Sequence, residues 1–238
     1  MKNTAIQRKR LPRTTLSSRI ATELREEILA GVFPPGAQLN EARIALGYGV
    51  SRGPLREAMQ RLIQEGLLRS APNRGVFVPE LSEADLADVF FVRAALEIAA
   101  AGRVVTEGDR ERVSRELTEI AERMHAALSA GDWRKGADLD FEFHRNLVDA
   151  ADSERLTRTY ATVQAETSLC LHWLMKGYRD SKALAAEHFE LASLIATGSE
   201  AEVAVALAAH WRDSGSALRK ALVDGEDASA MGSAGSSA

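Results

Sequence analysis

Asp140 and His144 stand four positions apart, and in a helical segment residues at that spacing share one face. A carboxylate and an imidazole so placed can grip a single ion. Two more histidines, His188 and His210, fall in separate segments whose apolar residues also recur at helical spacing. Three imidazoles and one carboxylate suit a divalent transition metal, Zn²⁺, Ni²⁺ or Mn²⁺, because nitrogen ligands disfavour Ca²⁺ and Mg²⁺. The single cysteine, Cys170, can form neither an internal disulfide nor a thiolate-rich site, so any metal must be held by His and carboxylate. On spacing alone a second reading stays open, since helical proteins regularly pack single histidines on half-buried faces. His125 and His172 read as surface or helix-packing residues, Cys170 as a small hydrophobe, and Trp133, Trp173 and Trp211 as core or interface residues.

A second chemistry begins at Ser51. Arg52, Arg56 and Gln60 follow one another at one-turn spacing beside the apolar stripe Leu55, Met59 and Leu62, so they can project together from an exposed face. Arg grips guanine bidentately or holds a phosphate, and small residues such as Ser51 and Gly53 allow close approach to a backbone. Charge agrees with this. Residues 1–80 hold 13 Lys and Arg against 7 Asp and Glu, a net of +6, while the remainder holds 17 against 27, a net of −10. A basic module joined to an acidic one points to a polyanion for the first. Five of those 13 positive charges lie in the first 13 residues, where a disordered solvated arm accounts for them equally well.

These groups need elements to position them. Ile20, Leu24 and Ile28 predict a helix from Leu16 to Leu29 that ends at Gly31. Phe33-Pro34-Pro35-Gly36 reads as a turn, and a short helix follows Asn40, a suitable N-cap, as far as Gly47. A third helix opens at Ser51, whose hydroxyl can cap it, tolerates Pro54 in its first turn, and closes at Gly66. The segments 67–70 and 76–78 then predict two short strands joined by a hairpin, with Asn73, Arg74 and Gly75 at its tip and facing a minor groove or phosphates. Three helices and a hairpin in this order predict a winged helix-turn-helix, whose third helix enters the DNA major groove. Beyond Leu81 the apolar spacing is helical throughout, with helices near 82–105, 109–130, 132–151, 153–177, 180–198 and 200–223. The expected fold is mainly α: a basic arm over 1–14, a winged helix-turn-helix over 15–80, an all-α bundle of six or seven helices over 81–224, and a disordered tail over 225–238. At 45% hydrophobic residues the chain has the apolar material for two packed cores. With no long uncharged apolar run and no apolar leader after Met1, it reads as soluble, cytoplasmic and not membrane-bound.

The stretch VSRGPLREAMQRLIQEGLL at 50–68, preceded by GVFPPGAQLNEARIA at 31–45, resembles the winged-helix region of GntR-type bacterial transcription regulators. FVRAALE at 91–97, DFEFH at 140–144, EHFELASLI at 187–195 and His210 resemble the FadR branch, whose helical effector domain is called FCD. Together the motifs cover about residues 15–223. The resemblance implies a homodimeric, DNA-binding regulator, a repressor in most cases, acting on a pseudo-palindromic operator and answering to a small metabolite. It also implies that Asp140, His144, His188 and His210 hold a metal, zinc first with nickel and manganese as alternatives, as in FCD domains of the metal-binding kind. Arg93 matches a position where the family often places a basic residue near the effector, so a carboxylate is the implied ligand class. The plainer reading of Arg93 is a surface salt bridge with Glu97 at i+4.

One departure concerns Ala42. Family members often carry Arg there, whereas this chain has Arg43 one step later, a turn of roughly 100° around a helix. An alternative function is a metal-dependent hydrolase or lyase with an accessory basic module. No general base is apparent for it, because Glu142 faces away from Asp140 and His144, and Glu187 beside His188 is directed away from that ligand as well. A third is a metal that only staples helices together.

Overall fold

The computed structural model describes residues 15–72, 74–80, 82–174 and 181–212, with the side chains of 170–174 and 181–182 excepted. The expected arm (1–14), Asn73, the expected tail (225–238) and the side chains of Cys170, His172 and Trp173 lie outside the described residues.

The amino-terminal part contains α1 (Leu16–Leu29), β1 (Gln38–Leu39), α2 (Glu41–Gly47), α3 (Arg52–Gln64), β2 (Arg69–Ala71) and β3 (Gly75–Phe77). Local polar chemistry starts two of its helices. The Thr15 side chain accepts from the Ser18 backbone N–H ahead of α1, and Asn40 accepts from that of Arg43 ahead of α2. Ser51 occupies the N-cap of α3 but makes no side-chain cap bond, contrary to the capping role expected of its hydroxyl. Ile20, Leu24 and Ile28 of α1 pack on Leu55, Met59 and Leu62 of α3 in one core, which Leu67, Leu68 and Val78 close from the hairpin side.

The sheet has three strands, not the two expected. β3 lies in the middle, antiparallel to both neighbours, with Gln38 opposite Phe77, Leu39 opposite Val76 and Ser70 opposite Val76. β1 is only two residues long, too short to show an alternating pattern in sequence, and it exists because β3 offers it a free edge.

From residue 82 to 212 every regular element among the described residues is helical: α4 (Glu83–Glu107), α5 (Arg110–Ser129), α6 (Trp133–Asp149), α7 (Glu154–Leu174), α8 (Ser181–Thr197) and α9, which begins at 200 and is described to 212. Ser82 and Asp85 form a reciprocal capping box at α4, and Asp109 and Asp132 cap α5 and α6. The break between α6 and α7 falls at Asp152, which takes a positive φ of 48°. Leu117, Ile120 and Met124 of α5, Phe143 and Leu147 of α6, and Ala192 and Ile195 of α8 meet in the centre of this bundle. Its α7 also reaches the other core: Leu169 is buried among the winged-helix residues. At that junction Gly66 has a φ of +80°, and a Cβ there would stand 2.8 Å from Glu166 Cγ of α7, so glycine serves both the turn and the close approach. Among the described residues no helix is long and apolar enough to cross a membrane.

Candidate functional site

Three helices converge on one buried point. α6 contributes Asp140 and His144, one turn apart as the spacing required, while α8 brings His188 and α9 brings His210. One ligand atom from each lies within 4.8 Å of all the others. His144 Nε2 is 3.2 Å from both His188 Nε2 and His210 Nε2, and Asp140 Oδ1 is 3.1 Å from His188 Nε2.

The outward nitrogens explain what faces inward. His144 Nδ1 lies 2.8 Å from Glu97 Oε2, His188 Nδ1 lies 2.7 Å from the Leu184 carbonyl, and His210 Nδ1 lies 2.9 Å from Glu187 Oε2. A carbonyl or carboxylate oxygen only accepts, so each Nδ1 donates, and in a neutral imidazole the proton is then absent from Nε2. Burial pushes His144 down to about 4 against the attraction of Glu97, leaving it neutral at pH 7. Three imidazole Nε2 atoms and a carboxylate oxygen thus converge on one point. That donor set fits a cation of borderline softness. The acceptors that orient the rings, Glu97 and the Leu184 carbonyl in buried residues and Glu187 partly exposed, are the outer partners metal-ligating histidines require.

Arg93 of α4 forms the wall of the same pocket. It is 0% exposed, so the surface salt bridge expected with Glu97 is instead an interior one: Nε donates to Glu97 Oε1 and Tyr160 Oη, both at 3.0 Å. The guanidinium stands over the Trp211 ring, 3.9 Å from its centroid. Its Nη1 and Nη2 have no hydrogen-bond partner, and neither has Asp140 Oδ2, which lies 3.9 Å from Nη2. Burial opposes ionisation of Glu97, but His144, Arg93 and the Tyr160 hydroxyl outweigh it and hold the carboxyl down to about 2. Burial raises the Asp140 carboxyl too, and its hydrogen bond with His188 and the charges of the His and Arg groups bring it below the usual carboxylate range. Two ionised carboxylates therefore face one guanidinium in a buried space, and the surplus negative charge favours a cation.

Sequence reasoning missed several of these contributors. Glu97 was visible only as an i+4 partner of Arg93, and its bonds to His144 and to Trp211 Nε1 (2.9 Å) come from other helices. Glu187 was expected to be directed away from its neighbour His188; the partner it finds instead, His210 on another helix, was not legible. Tyr160 carried no signal. Glu142 does face away, paired with Arg123 at 2.7 Å. His125 is exposed, edge-on to Phe189. A groove of about 420 Å³ between α4 and α9, lined by Leu86, Phe90, Phe91, Ile98 and Trp211, lies beside this centre but includes none of the four ligands.

The second candidate surface is the amino-terminal end of α3. Ser51, Arg52, Gly53, Arg56 and Gln60 are all exposed, as are Arg43 on α2 and Arg74 and Gly75 at the β2–β3 turn. Ala42 is exposed too, so both positions bearing on the expected arginine face solvent. Without a Ser51 cap bond, the first-turn N–H groups of α3 remain donors at the positive end of the helix. Arg56 Nε donates to Glu41 Oε2 of α2 at 2.6 Å, and Arg74 stands 5.9 Å from the Phe77 ring centroid.

Known proteins agree with this architecture. Residues 16–78 match the model of the bacterial regulatory proteins of the gntR family, and residues 88–213 match that of the FCD domain. The probable D-xylose utilization operon transcriptional repressor of Paenarthrobacter nicotinovorans is 35% identical over 163 residues, 68% of this chain and 71% of the relative. The Nta operon transcriptional regulator of Aminobacter aminovorans is 31% identical over 179 residues, 75% of this chain and 82% of the relative. A crystal structure of a GntR transcriptional regulator from Rhodococcus sp. RHA1 superposes with a TM-score of 0.73 at 28% identity, covering 87% of this chain and 99% of that one. A winged helix with an exposed basic third helix, a helical domain carrying a buried His and Asp cluster, and these relatives lead to one conclusion: the chain belongs to the GntR family, joins that family's DNA-binding domain to an FCD domain, and is a DNA-binding transcriptional regulator, not an enzyme.

Proposed function

We propose that the operator affinity of this regulator is set by a small carboxylate metabolite captured at a divalent metal in the helical domain. Asp140, His144, His188 and His210 would hold the ion, zinc first, with nickel or manganese as alternatives. When bound, the ion supplies the positive charge that attracts carboxylate oxygens. The observation that carries the reading is the pairing of three converging Nε2 atoms and the Asp140 carboxylate with a buried Arg93 whose Nη1 and Nη2 have no partner. Buried guanidinium nitrogens left unpaired are costly, and a carboxylate would satisfy both in one bidentate contact.

Tyr160 and Leu169 support a route from that pocket to the DNA-binding end, because α7 carries both the hydroxyl that touches Arg93 and a side chain in the winged-helix core. By linkage, an effector that weakens DNA binding is itself bound more weakly by the DNA-bound protein. One winged helix reads few base pairs, so the reading includes a homodimer on a pseudo-palindromic operator, repressing transcription in the cytoplasm. Ser51, Arg52, Gly53, Arg56 and Gln60 would meet the major groove, with Arg43, Asn73, Arg74 and Gly75 on flanking phosphates or the minor groove. The functional division is a DNA-binding domain over 15–80 and an effector domain over 81–224.

Elemental analysis of wild type and His144→Ala tests the reading, followed by binding to a selected operator duplex with and without a panel of carboxylates. Stoichiometric metal lost in the variant, with a carboxylate response lost alongside it, is the expected result. Wild-type protein that takes up no metal after reloading overturns it. A metal whose removal lowers the melting temperature while every carboxylate leaves DNA binding flat makes the ion a structural staple instead.

A further inference from the structure

Glu41 is an acidic side chain at the start of α2, directed toward the recognition helix of a protein that must approach a polyanion. Its Oε2 accepts from Arg56 Nε at 2.6 Å, across the helix-turn-helix. The pair is solvent-exposed, with the Arg56 side chain 65% and the Glu41 side chain 30% accessible, so it contributes little to fold stability. For affinity alone it is unfavourable, because it partly neutralises a cation and sets a negative charge close to where phosphates lie. Holding Nε does something else. It fixes the plane of the guanidinium and leaves Nη1 and Nη2 as the open edge, which matches the paired N7 and O6 acceptors of guanine. An untethered arginine on an exposed helix face follows any nearby phosphate, which conveys no sequence information.

We propose that Glu41 is a specificity-determining positioning residue: by tethering Arg56 through Nε it directs that arginine to a base edge and away from the DNA backbone, raising discrimination at the expense of general affinity. The proposal rests on α3 lying in the major groove. It concerns a positioning residue, since Glu41 acts through Arg56 and not on DNA itself.

The test uses the full chain, a duplex selected by wild-type protein from a random library, its scrambled counterpart, and single base-pair changes through the selected site. Glu41→Ala should bind scrambled duplex several-fold more tightly and selected duplex less tightly, so that the ratio of the two falls about tenfold, the size of one bidentate base contact. The slope of log affinity against log salt should steepen by about one as Arg56 turns to a phosphate. The lost preference should fall on the same base pair that Arg56→Ala relaxes, and Glu41→Ala should change no preference in an Arg56→Ala background. Glu41→Gln, which can still accept from Nε, should restore part of the discrimination and controls for any folding defect of the alanine variant. A Glu41→Ala protein that is folded and shifts both duplexes equally overturns the proposal. An Arg56→Ala protein that keeps every base preference overturns the placement of α3, and this proposal with it.

Discussion

Tyr160 and Leu169 share helix α7, yet they belong to different cores: the Tyr160 hydroxyl donates to Glu97 Oε1 at 2.7 Å inside the metal-type pocket, and Leu169, 6% exposed, sits among the winged-helix residues. A rigid helix between them spans about 14 Å at 1.5 Å per residue. On the proposed effector mechanism, a displacement that moves α7 as a rigid body would reach both cores, because packed cores do not deform smoothly. Truncating Leu169 opens a cavity at the junction. Leu169→Ala should cost about 2–3 kcal/mol in urea denaturation, at the low end for buried leucine because the site borders two units. It should also blunt any effector response in operator binding while leaving metal content unchanged, and an undiminished response argues against transmission through α7.

Glu97 gathers Arg93, His144, Tyr160 and Trp211 onto one carboxylate at 0% exposure. Glu97→Ala leaves Arg93 charged and buried with only the more distant Asp140 as counter-ion. The expected loss is about 3–5 kcal/mol by chemical denaturation, the cost of breaking a buried pair from one side. A loss below 1 kcal/mol means water enters and relieves the guanidinium.

His188 holds its ring by a bond to its own helix, at the Leu184 carbonyl, so its removal takes a contact from Asp140 but leaves the outer partners of His144 and His210 in place. His188→Ala is expected to lower bound metal sharply and leave binding to a selected duplex in the absence of effector within a few-fold of wild type. Added Zn²⁺ should raise the wild-type melting temperature by mass action, about 2.7 kcal/mol of stabilisation at a hundredfold excess over Kd, and should do much less for the variant. Equal metal content in both proteins removes His188 from the ligand set.

Two groups of carboxylates should give pH effects of opposite sign. Asp85 and Glu202 sit at helix starts, where bonds from Ser82 and Ser199 lower their pKa. A carboxyl lowered in the folded state stabilises above its unfolded pKa and loses that contribution as pH falls through the folded value, so Asp85→Asn with Glu202→Gln should flatten the stability profile below about pH 4. Glu166, at the junction with Gly66, is raised by burial, with Arg69 opposing and Asp85 and Asp88 adding to the shift. A raised carboxyl favours the fold at low pH and loses that contribution as pH climbs. Glu166→Gln should therefore melt higher than wild type at pH 7 and match it near pH 4, by thermal scans across that window.

Arg56 and Arg10 separate base reading from general attraction. Arg56→Ala should weaken binding to a selected duplex by more than Arg10→Ala, about tenfold or beyond against a few-fold. Competition assays against scrambled duplex measure both, and equal losses would leave α3 with no more than a phosphate contact.

Much of this architecture follows from local rules that operate within one or two helical turns. The stripe Leu55, Met59 and Leu62, the cap at Asn40, and the i,i+4 relation of Asp140 to His144 are each settled by residues a few positions apart, and the helix order was legible for that reason. Even the pattern of exposed arginines on α3 follows from the side its apolar residues occupy.

The tertiary structure decided what distant elements bring together. β1 forms only because β3 has a free edge, so two residues without a pattern became a strand. Arg93 and Glu97 have the spacing of a surface pair, and their burial is the summed effect of α6, α7 and α9 closing over them, which no property of α4 alone reveals. The same holds for the outer partners of the histidines. Glu187 stands next to His188 but orients His210, because side chains adjacent in a helix point about 100° apart and the second meets a neighbouring helix. Periodicity determines which face a residue takes. What that face meets depends on how the helices pack, and the chemistry of the pocket resides in that packing.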